Sequence, residues 1–229
     1  MAPLKLLTVV SSSLLFLAKA QGEPQDTTPT YSVALSRFPR DEGKCLDEVN
    51  AARVAAGLSE LSKAENPTHR LPKEGSPEEE ESEWAWKPVC EALIPTKTKS
   101  KSTRNSDITE FQSGTYAYLP IDDPNSVDCK AVVDKWKEAY TNFDGLPPAN
   151  KKDEPLYDSQ ENVSFVALYN PTEKATADCR VVTCTKKTPA AASFKAARTD
   201  GSTTETGSAL ICMTVPDVLL EEEGKAPFT

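Results

Sequence analysis

Histidine is nearly missing from this chain of 229 residues, since His69 is the single one. Chemistry that needs two imidazoles, such as a histidine-rich zinc site or a paired acid and base, is therefore excluded. The cysteines closest in sequence, Cys179 and Cys184, have no matching second pair that would complete a zinc site. The sequence predicts no metal site and no cofactor.

Positive charge and long apolar runs are also scarce. The chain has 26 Lys and Arg against 35 Asp and Glu, a formal net charge of −9. Phosphate backbones repel such a surface, and no basic strip with interleaved aromatics compensates, so nucleic acid is excluded as a partner. After residue 20 no stretch reaches the roughly 20 apolar residues that a membrane-spanning helix needs.

Residues 1–20 have the pattern of a signal peptide. Lys5 precedes an apolar stretch, and Ala18-Lys19-Ala20 is the small-x-small pattern of a cleavage site. Cleavage after Ala20 removes two lysines and leaves a mature net charge of −11. We therefore expect an extracellular protein, secreted or displayed on a cell surface. Residues 217–229 form an acidic stub without the hydrophobic tail that directs a glycolipid anchor.

An even number of cysteines in an oxidising compartment predicts disulfides, here three bridges among six cysteines: Cys45, Cys90, Cys129, Cys179, Cys184 and Cys212. Cys179 and Cys184 are five residues apart, so on a regular strand they point to opposite faces. One of them can meet Cys212 on a neighbouring strand, and the other must bond to a cysteine of the helical region. We predict one strand-to-strand bridge and at least one helix-to-sheet bridge.

Hydrophobic periodicity predicts three helices and four strands. Cys45–Leu61, Glu83–Leu93 and Ser126–Phe143 have helical spacing, and the last has an apolar stripe from Cys129 to Phe143, with Asp123, Asn125 or Ser126 as its cap. The predicted strands are Gly114–Leu119, closed by Pro120, followed by Val163–Tyr169, Cys179–Thr185 and Ala209–Val215. This order favours an α+β domain over residues 41–216 with a mostly antiparallel sheet.

The remaining segments are polar. Residues 21–40 are predicted to be an extended leader, and insertions near 62–83 and 95–106 are predicted to be solvated, the first without a core face. The second insertion contains Lys97, Lys99, Lys101 and Arg104, which form either a glycosaminoglycan-binding strip, as a candidate host-contact loop, or an ordinary solvated loop. Asn162 begins the sole glycosylation sequon, at the start of a predicted strand.

Several motifs resemble those of the CAP superfamily, the cysteine-rich secretory and plant pathogenesis-related proteins. Asn50, Arg53, Gly57 and Leu61 have the N-x-x-R-x-x-x-G-x-x-x-L spacing of its opening helix. Ala131-Val132 with Trp136 is similar to its A-V-x-x-W segment, with one residue more before the tryptophan. Cys179 to Cys184, followed by Leu210-Ile211-Cys212-Met213, resembles its late paired strands. The resemblance implies a CAP-like α-β-α sandwich in which Cys179 pairs with Cys212 and Cys184 reaches back toward the helices.

The acidic six-cysteine ectodomain resembles the coccidian (Eimeria) surface antigen family more closely. That family is displayed on the parasite surface, usually through a C-terminal glycolipid anchor, and is implicated in host-cell attachment and immune modulation. The resemblance implies a host cell-surface protein or glycan as the partner. It also implies membrane association only through an anchor of that type, which we do not find encoded in this chain.

The residues that a CAP cleft uses are replaced. The segment similar to the G-E-N strand reads Gly114-Thr115-Tyr116, Ala139 stands where a glutamate would fall, and the H-Y-T-Q-like strand reads Val163-Ser164-Phe165-Val166. A Ser-His-acid triad would have to use His69, which lies in the proline-rich insertion and reads as an exposed loop residue. A cysteine nucleophile would need a free thiol in an oxidising compartment. We predict no catalytic residue and no enzymatic activity.

Two functions remain. The first is a non-enzymatic surface or secreted antigen that acts in host-cell attachment or immune modulation. The alternative is a carrier of a small ligand, a sterol or other lipid, as the CAP resemblance implies. Its candidate walls are Tyr116, Tyr118, Trp136 and Tyr140, which can also be read as ordinary core aromatics.

Overall fold

The computed structural model describes residues 29–36, 43–76, 84–95, 113–151, 155–189, 202–220 and 225–228. Its helices are α1 (Leu46–Ala55), α2 (Lys87–Leu93), α3 (Cys129–Glu138) and α4 (Gln160–Leu168). Its strands are β1 (Thr30–Leu35), β2 (Ser62–Lys63), β3 (Thr115–Ile121), β4 (Thr176–Thr188) and β5 (Thr203–Val215).

The strands form one sheet in the order β1-β4-β5-β3, and every pairing along this path is antiparallel. The two-residue β2 adds a parallel pairing at the start of β4. The long pairing of β4 with β5 sets Cys179 opposite Cys212. The predicted α+β class and the mostly antiparallel sheet are confirmed.

Alternating side chains divide the core between the two faces of the sheet. On one face, which we call the helical face, α1, α3 and α4 enclose a cluster that includes Val49, Trp136 and Leu210. The other face, which we call the sealed face, is covered by α2 and by the chain around Leu71 and Trp86. Helices therefore lie on both sides of the sheet.

Of the three disulfides, one joins two layers and the other two each lie within a layer. Cys179–Cys212 joins the neighbouring strands β4 and β5, and Cys90–Cys184 joins α2 to β4 on the sealed face. Cys45–Cys129 joins the start of α1 to the start of α3 on the helical face. The structure thus has one strand-to-strand and one helix-to-sheet bridge, as the alternation of side chains predicts, and the third bridge joins two helices.

The motif at the end of α1 has a structural explanation. Gly57 has φ +80°, a left-handed conformation suited to glycine. The N–H groups of Gly57 and Leu58 donate to the carbonyls of Val54 and Arg53, the hydrogen-bond pattern of a Schellman cap. The Asn50 side chain accepts from the Leu61 N–H at 2.8 Å and donates to the Leu61 carbonyl at 3.1 Å. These contacts end α1 at a fixed place and return the chain to the core at Leu61.

Arg53 completes this arrangement from inside the core. Its guanidinium is buried and donates to the Ser59 and Leu168 carbonyls, both at 2.9 Å. Burial lowers its pKa from the ordinary value. Arg53 therefore links the loop after α1 to the end of α4.

One predicted strand is wrong. Val163–Tyr169 lies in α4, which is buried on several sides and so lacks the one-sided apolar stripe of a surface helix. A short apolar run without that stripe does not distinguish a strand from a buried helix. The side chains of α4 also satisfy the outer edge of β3, because Ser164 Oγ accepts from the Tyr118 N–H at 3.0 Å and Gln160 Nε2 donates to the Tyr116 carbonyl at 2.7 Å.

The predicted helices are longer than the observed ones. The first ends at Ala55 because of the Gly57 cap, and the second begins at Lys87 because Pro88 suits only a first turn. The third is capped by Asp128, whose carboxylate accepts from the Ala131 N–H at 3.0 Å, and not by the three residues predicted.

Three boundaries of the sheet also differ from the prediction. β3 continues through Pro120 to Ile121, because an edge strand tolerates a residue without an N–H. β4 and β5 extend into the polar stretch between their predicted cores. Part of the predicted leader forms β1, which pairs with β4. In the first insertion Ala64 and Leu71 are buried, so the expectation that this segment has no core face is wrong.

Candidate functional site

An apolar cleft of about 790 Å³ opens on the outer side of the helical face. It lies among the loop after α1, α3 with the turn that follows it, α4, and the segment 225–228. We call it the aromatic cleft, because five aromatic side chains line it: Tyr140, Phe143, Phe165, Tyr169 and Phe228. Its volume lies within the range of about 300–1,000 Å³ that is typical of small-molecule sites.

Three of these rings form a connected series along the cleft. The Phe143 and Phe165 ring centroids are 5.5 Å apart, and those of Phe165 and Tyr169 are 5.0 Å apart in an edge-to-face arrangement. Both distances fall in the range of favourable aromatic pairs. The series fixes the floor of the cleft before any ligand is present.

Two large apolar side chains at the mouth face solvent. Tyr140 is 65% exposed and Leu146 is 66% exposed. The predicted apolar stripe placed Tyr140 in the core, and this is wrong because α3 stops at Glu138 and the chain continues as a 3-10 turn, Ala139–Asn142. A 3-10 turn has about three residues per turn, so Ala139 faces the core while Tyr140 rotates away from it.

Two glycine turns position further lining residues of the cleft. Leu58 follows the Gly57 cap of α1 and lines the cleft, so the motif that ends this helix also forms one wall. Gly145 has φ +102° and carries the chain from Phe143 to Leu146 through a turn that other residues rarely adopt. The glycines of both turns can be recognised in the sequence, but the sequence does not show that the two turns line the same cleft.

The charged groups at the cleft are paired with one another. Asp134 accepts from Lys130 at 2.6 Å and from Lys137 at 2.9 Å, and these hydrogen bonds hold the pKa of Asp134 below its ordinary value. Glu138 pairs with Lys135 at 2.7 Å. Burial raises the pKa of Tyr169, and Lys137 acts in the opposite direction. The rim is thus a solvated set of ion pairs around an apolar interior.

The predicted ligand walls do not meet in one cavity. Tyr116 and Tyr118 pack on the sealed face, and the Tyr116 hydroxyl donates to Met213 Sδ at 2.8 Å. Burial raises the pKa of Tyr116, and the nearby Asp217 carboxylate adds to the rise. Trp136 is buried in the helical face and donates to the Tyr118 carbonyl at 3.1 Å. Only Tyr140 of the four lines the aromatic cleft, so the predicted wall is wrong.

Four of the five aromatic lining residues were not predicted as ligand walls: Phe143, Phe165, Tyr169 and Phe228. Phe143 was predicted in the apolar stripe of α3, Phe165 and Tyr169 in a strand, and Phe228 in the acidic C-terminal stub. Phe165 and Tyr169 are four residues apart, so on a helix their rings lie on the same side. This spacing is the sequence signal that could have placed both rings in one wall.

Thr115, which replaces the acid of the G-E-N strand that this segment resembles, has a structural role here. Thr115 is buried, and its hydroxyl donates to the Asp217 carboxylate at 2.8 Å and accepts from the Val218 N–H at 3.0 Å. Glu138 is exposed and belongs to the charged rim. Neither residue contributes to a central acidic site.

His69 is half-buried against the sheet, so its predicted exposure is wrong. Its Nδ1 lies 3.4 Å from the Thr176 hydroxyl, at the start of β4. Among the residues that the structure describes, no group of three or more His, Cys, Asp or Glu side chains is placed to hold a metal ion.

The glycosylation candidate Asn162 is buried, with 3% of its surface exposed. Its side-chain NH2 donates to the Leu156 carbonyl at 2.8 Å, and its side-chain oxygen accepts from Asn142 Nδ2 at 2.7 Å. A glycan on this nitrogen would replace the hydrogen bond to Leu156, so glycosylation of Asn162 stays a prediction. The basic candidates Lys97, Lys99, Lys101 and Arg104 lie outside the described residues.

The C-terminal stub is more than an acidic tail. In its described part Pro227 is buried and Phe228 lines the aromatic cleft. Within the described ranges, no helix is both long and apolar enough to cross a bilayer.

Residues 41–229 match the sequence model of a family described as the sporozoite surface antigen (SAG) protein domain. The match spans most of the chain, which therefore belongs to this family. The chain is also 31% identical over 235 residues to the sporulated oocyst TA4 antigen of Eimeria tenella. This alignment covers 100% of the chain and 82% of that antigen. No solved structure matches it. The predicted resemblance to coccidian surface antigens is confirmed, and the family indicates an antigen of the parasite surface or exterior.

Proposed function

We propose that this chain is a non-enzymatic surface or secreted antigen that contacts the host, in cell attachment or immune modulation, and that the aromatic cleft takes part in that contact. A CAP-like α-β-α sandwich is the finer fold within this proposal. Helices on both faces of an antiparallel sheet and the Cys179–Cys212 bridge support it.

The observation that carries the proposal is the exposure of Tyr140 and Leu146 at the mouth of the cleft. Exposed apolar patches bordered by charge are typical of interaction sites. Tyrosine is enriched among the residues that dominate binding energy, because its ring buries much area with little loss of conformational freedom. In a surface antigen, such an exposed patch is accessible to host molecules.

Purified protein incubated with host cells tests the proposal. We expect saturable binding that falls at least severalfold in the double variant Tyr140→Ser with Leu146→Ser, because truncation of central contact residues typically costs about 1–2 kcal/mol each. Val54→Ser is the matched control, because Val54 is 55% exposed and does not line the cleft. No saturable binding, or equal binding by the double variant and the wild type, would contradict the role of the cleft.

The basic strip is the second arm of the same experiment. Replacing Lys97, Lys99, Lys101 and Arg104 by serine removes its charge and should lower binding, most at low salt, if a host glycosaminoglycan is the partner. If this variant binds like the wild type while the cleft variant does not, the strip is a solvated loop.

The second candidate function is a carrier of a small apolar ligand. The observation that favours it is the size and lining of the aromatic cleft, although the cleft is not built from the predicted walls. Organic extraction and mass spectrometry of protein secreted by a eukaryotic host should recover a lipid in near-stoichiometric amount. An empty protein that also takes up no sterol or other lipid when exposed to vesicles ends this candidate.

A further inference from the structure

We propose that residues 225–228 form a displaceable cover over the aromatic cleft, so that a ligand or host group competes with the protein's own Phe228. The inference rests on the proposed binding role of the cleft, because it assigns a regulation to that same site. We call residues 225–228 the cover segment.

The position of Phe228 is the first argument. A second hollow of about 680 Å³ lies beside the aromatic cleft, and its lining includes Val218 and Leu220. Leu58 and Phe228 line both hollows, and Pro227 lines the second. The cover segment therefore lies at the boundary between the two hollows.

The way the segment is held is the second argument. Pro227 is buried and Phe228 is half-buried. Within the described residues, nothing in the cover segment makes a backbone hydrogen bond, a side-chain hydrogen bond or an ion pair. The cover segment is therefore held to the protein by the apolar contacts of Pro227 and Phe228.

The helical part of the lining is held more firmly. Phe165 and Tyr169 belong to α4 or its cap, and α4 packs on β3 and α3. The preceding segment is also fixed, since Asn150 Nδ2 donates to the Leu219 carbonyl at 2.6 Å and Thr115 contacts residue 218. Segments with few buried contacts and no hydrogen bonds open at low free-energy cost. The cover segment therefore moves more easily than the helical wall that it faces.

This arrangement has a measurable consequence. If a ligand needs the open cleft, its apparent dissociation constant equals the intrinsic one divided by the open fraction. Weakening the cover raises that fraction and tightens binding. A fixed wall residue has the opposite effect, since its removal takes away contact area.

The experiment uses the full chain and the fluorescent probe 8-anilinonaphthalene-1-sulfonate, which binds apolar clefts. We expect Phe228→Ala to tighten probe binding roughly three- to tenfold relative to the wild type. Pro227→Gly keeps the aromatic ring but loosens its docking, so it should also tighten binding, by a smaller factor. Val54→Ala, an exposed position outside the cleft, should leave the affinity unchanged.

Opposite results overturn the cover. Weaker or unchanged probe binding by Phe228→Ala identifies Phe228 as a fixed wall. Tighter binding by Phe228→Ala with no change in Pro227→Gly shows only an enlarged cavity, which also overturns the proposal. Far-ultraviolet circular dichroism verifies that each variant is folded. The probe measurement does not depend on host cells, so a failure of host attachment and a failure of the cover are separate outcomes.

Discussion

The two faces of the sheet both carry large aromatic side chains, but they use them differently. On the sealed face Trp86 is 1% exposed, and its indole N–H donates to the Lys73 carbonyl at 2.9 Å. On the helical face Tyr140 is largely exposed, and the rings behind it line an open cleft. The sealed face is covered by α2 and by the chain around Leu71 and Trp86, whereas the helical face is covered by three helices, α1, α3 and α4.

This difference shows where a binding surface can arise in the fold. Helices bury their facing sides and leave a gap where they stop, at the cap of α1 and at the 3-10 turn after α3. The proposed ligand contact therefore lies on the helical face, and the following experiments compare the two faces.

Removal of one disulfide on each face of the sheet should give the largest effect. Cys90–Cys184 on the sealed face and Cys45–Cys129 on the helical face span 94 and 84 residues. Each bridge restricts the unfolded chain to almost the same extent, so removal of either should lower the free energy of unfolding by about 4–5 kcal/mol. Each pair is replaced by serines, and the free energy of unfolding is measured by urea denaturation. A markedly larger loss for one pair would show that one layer depends more on its bridge than the loop lengths predict.

Trp86→Ala should destabilise the protein by about 3–5 kcal/mol, because it leaves a large cavity and an unpaired Lys73 carbonyl. Tyr140→Ala is the matched change on the other face, and it should stay within about 0.5 kcal/mol because the ring is solvated. Urea denaturation of both variants measures the difference. Equal losses would abolish the distinction between the two faces.

Gly207→Ala tests how closely α2 approaches the sheet. A Cβ at this position would lie 2.9 Å from the Leu93 carbonyl oxygen and 3.0 Å from Leu93 Cβ, so the end of α2 must shift. We expect a loss of about 1–3 kcal/mol, typical of overpacking. Thr206→Ala, an exposed neighbour on the same strand, should change stability little. A neutral Gly207→Ala would show that the sealed face has slack.

Alkaline pH should give the smallest effect. Burial raises the pKa of Tyr116 on the sealed face and of Tyr169 in the cleft above the ordinary tyrosine value of about 10. A raised pKa in the folded state contributes stability that is present below pH ~10 and is lost as pH rises through the folded pKa. Tyr116→Phe should therefore reduce the alkaline loss of stability more than Tyr169→Phe does, measured as thermal midpoints from pH 8 to 11. A larger effect of Tyr169→Phe than of Tyr116→Phe would show that the hydroxyl in the cleft is the more strongly desolvated of the two.

Much of the fold was predictable because its signals are local. The alternation of Cys179 and Cys184 predicts bridges on opposite faces, and the structure has them there. Gly57 after α1 and Pro88 in the first turn of α2 are also local signals, although the predicted helices extended beyond both. In each case the backbone geometry of one or two residues is sufficient to set the outcome.

The candidate site was much less predictable. Val163–Tyr169 has strand-like composition, and only its packing between β3 and α3 makes it helical and brings Phe165 into the cleft. Tyr140 continues an apolar stripe in the sequence, and the change to a 3-10 turn removes it from the core. Phe228 stands 82 residues after Leu146, and no local pattern relates them.

The sequence by itself determined the α+β class, the disulfide-linked layers and the membership of a surface antigen family, because these depend on periodicity, cysteine spacing and motifs along the chain. Only the tertiary structure decided which aromatics are buried and which line a cleft. Burial depends on where helices stop and on which distant segments pack against their ends, and neither property is encoded within a single window of residues.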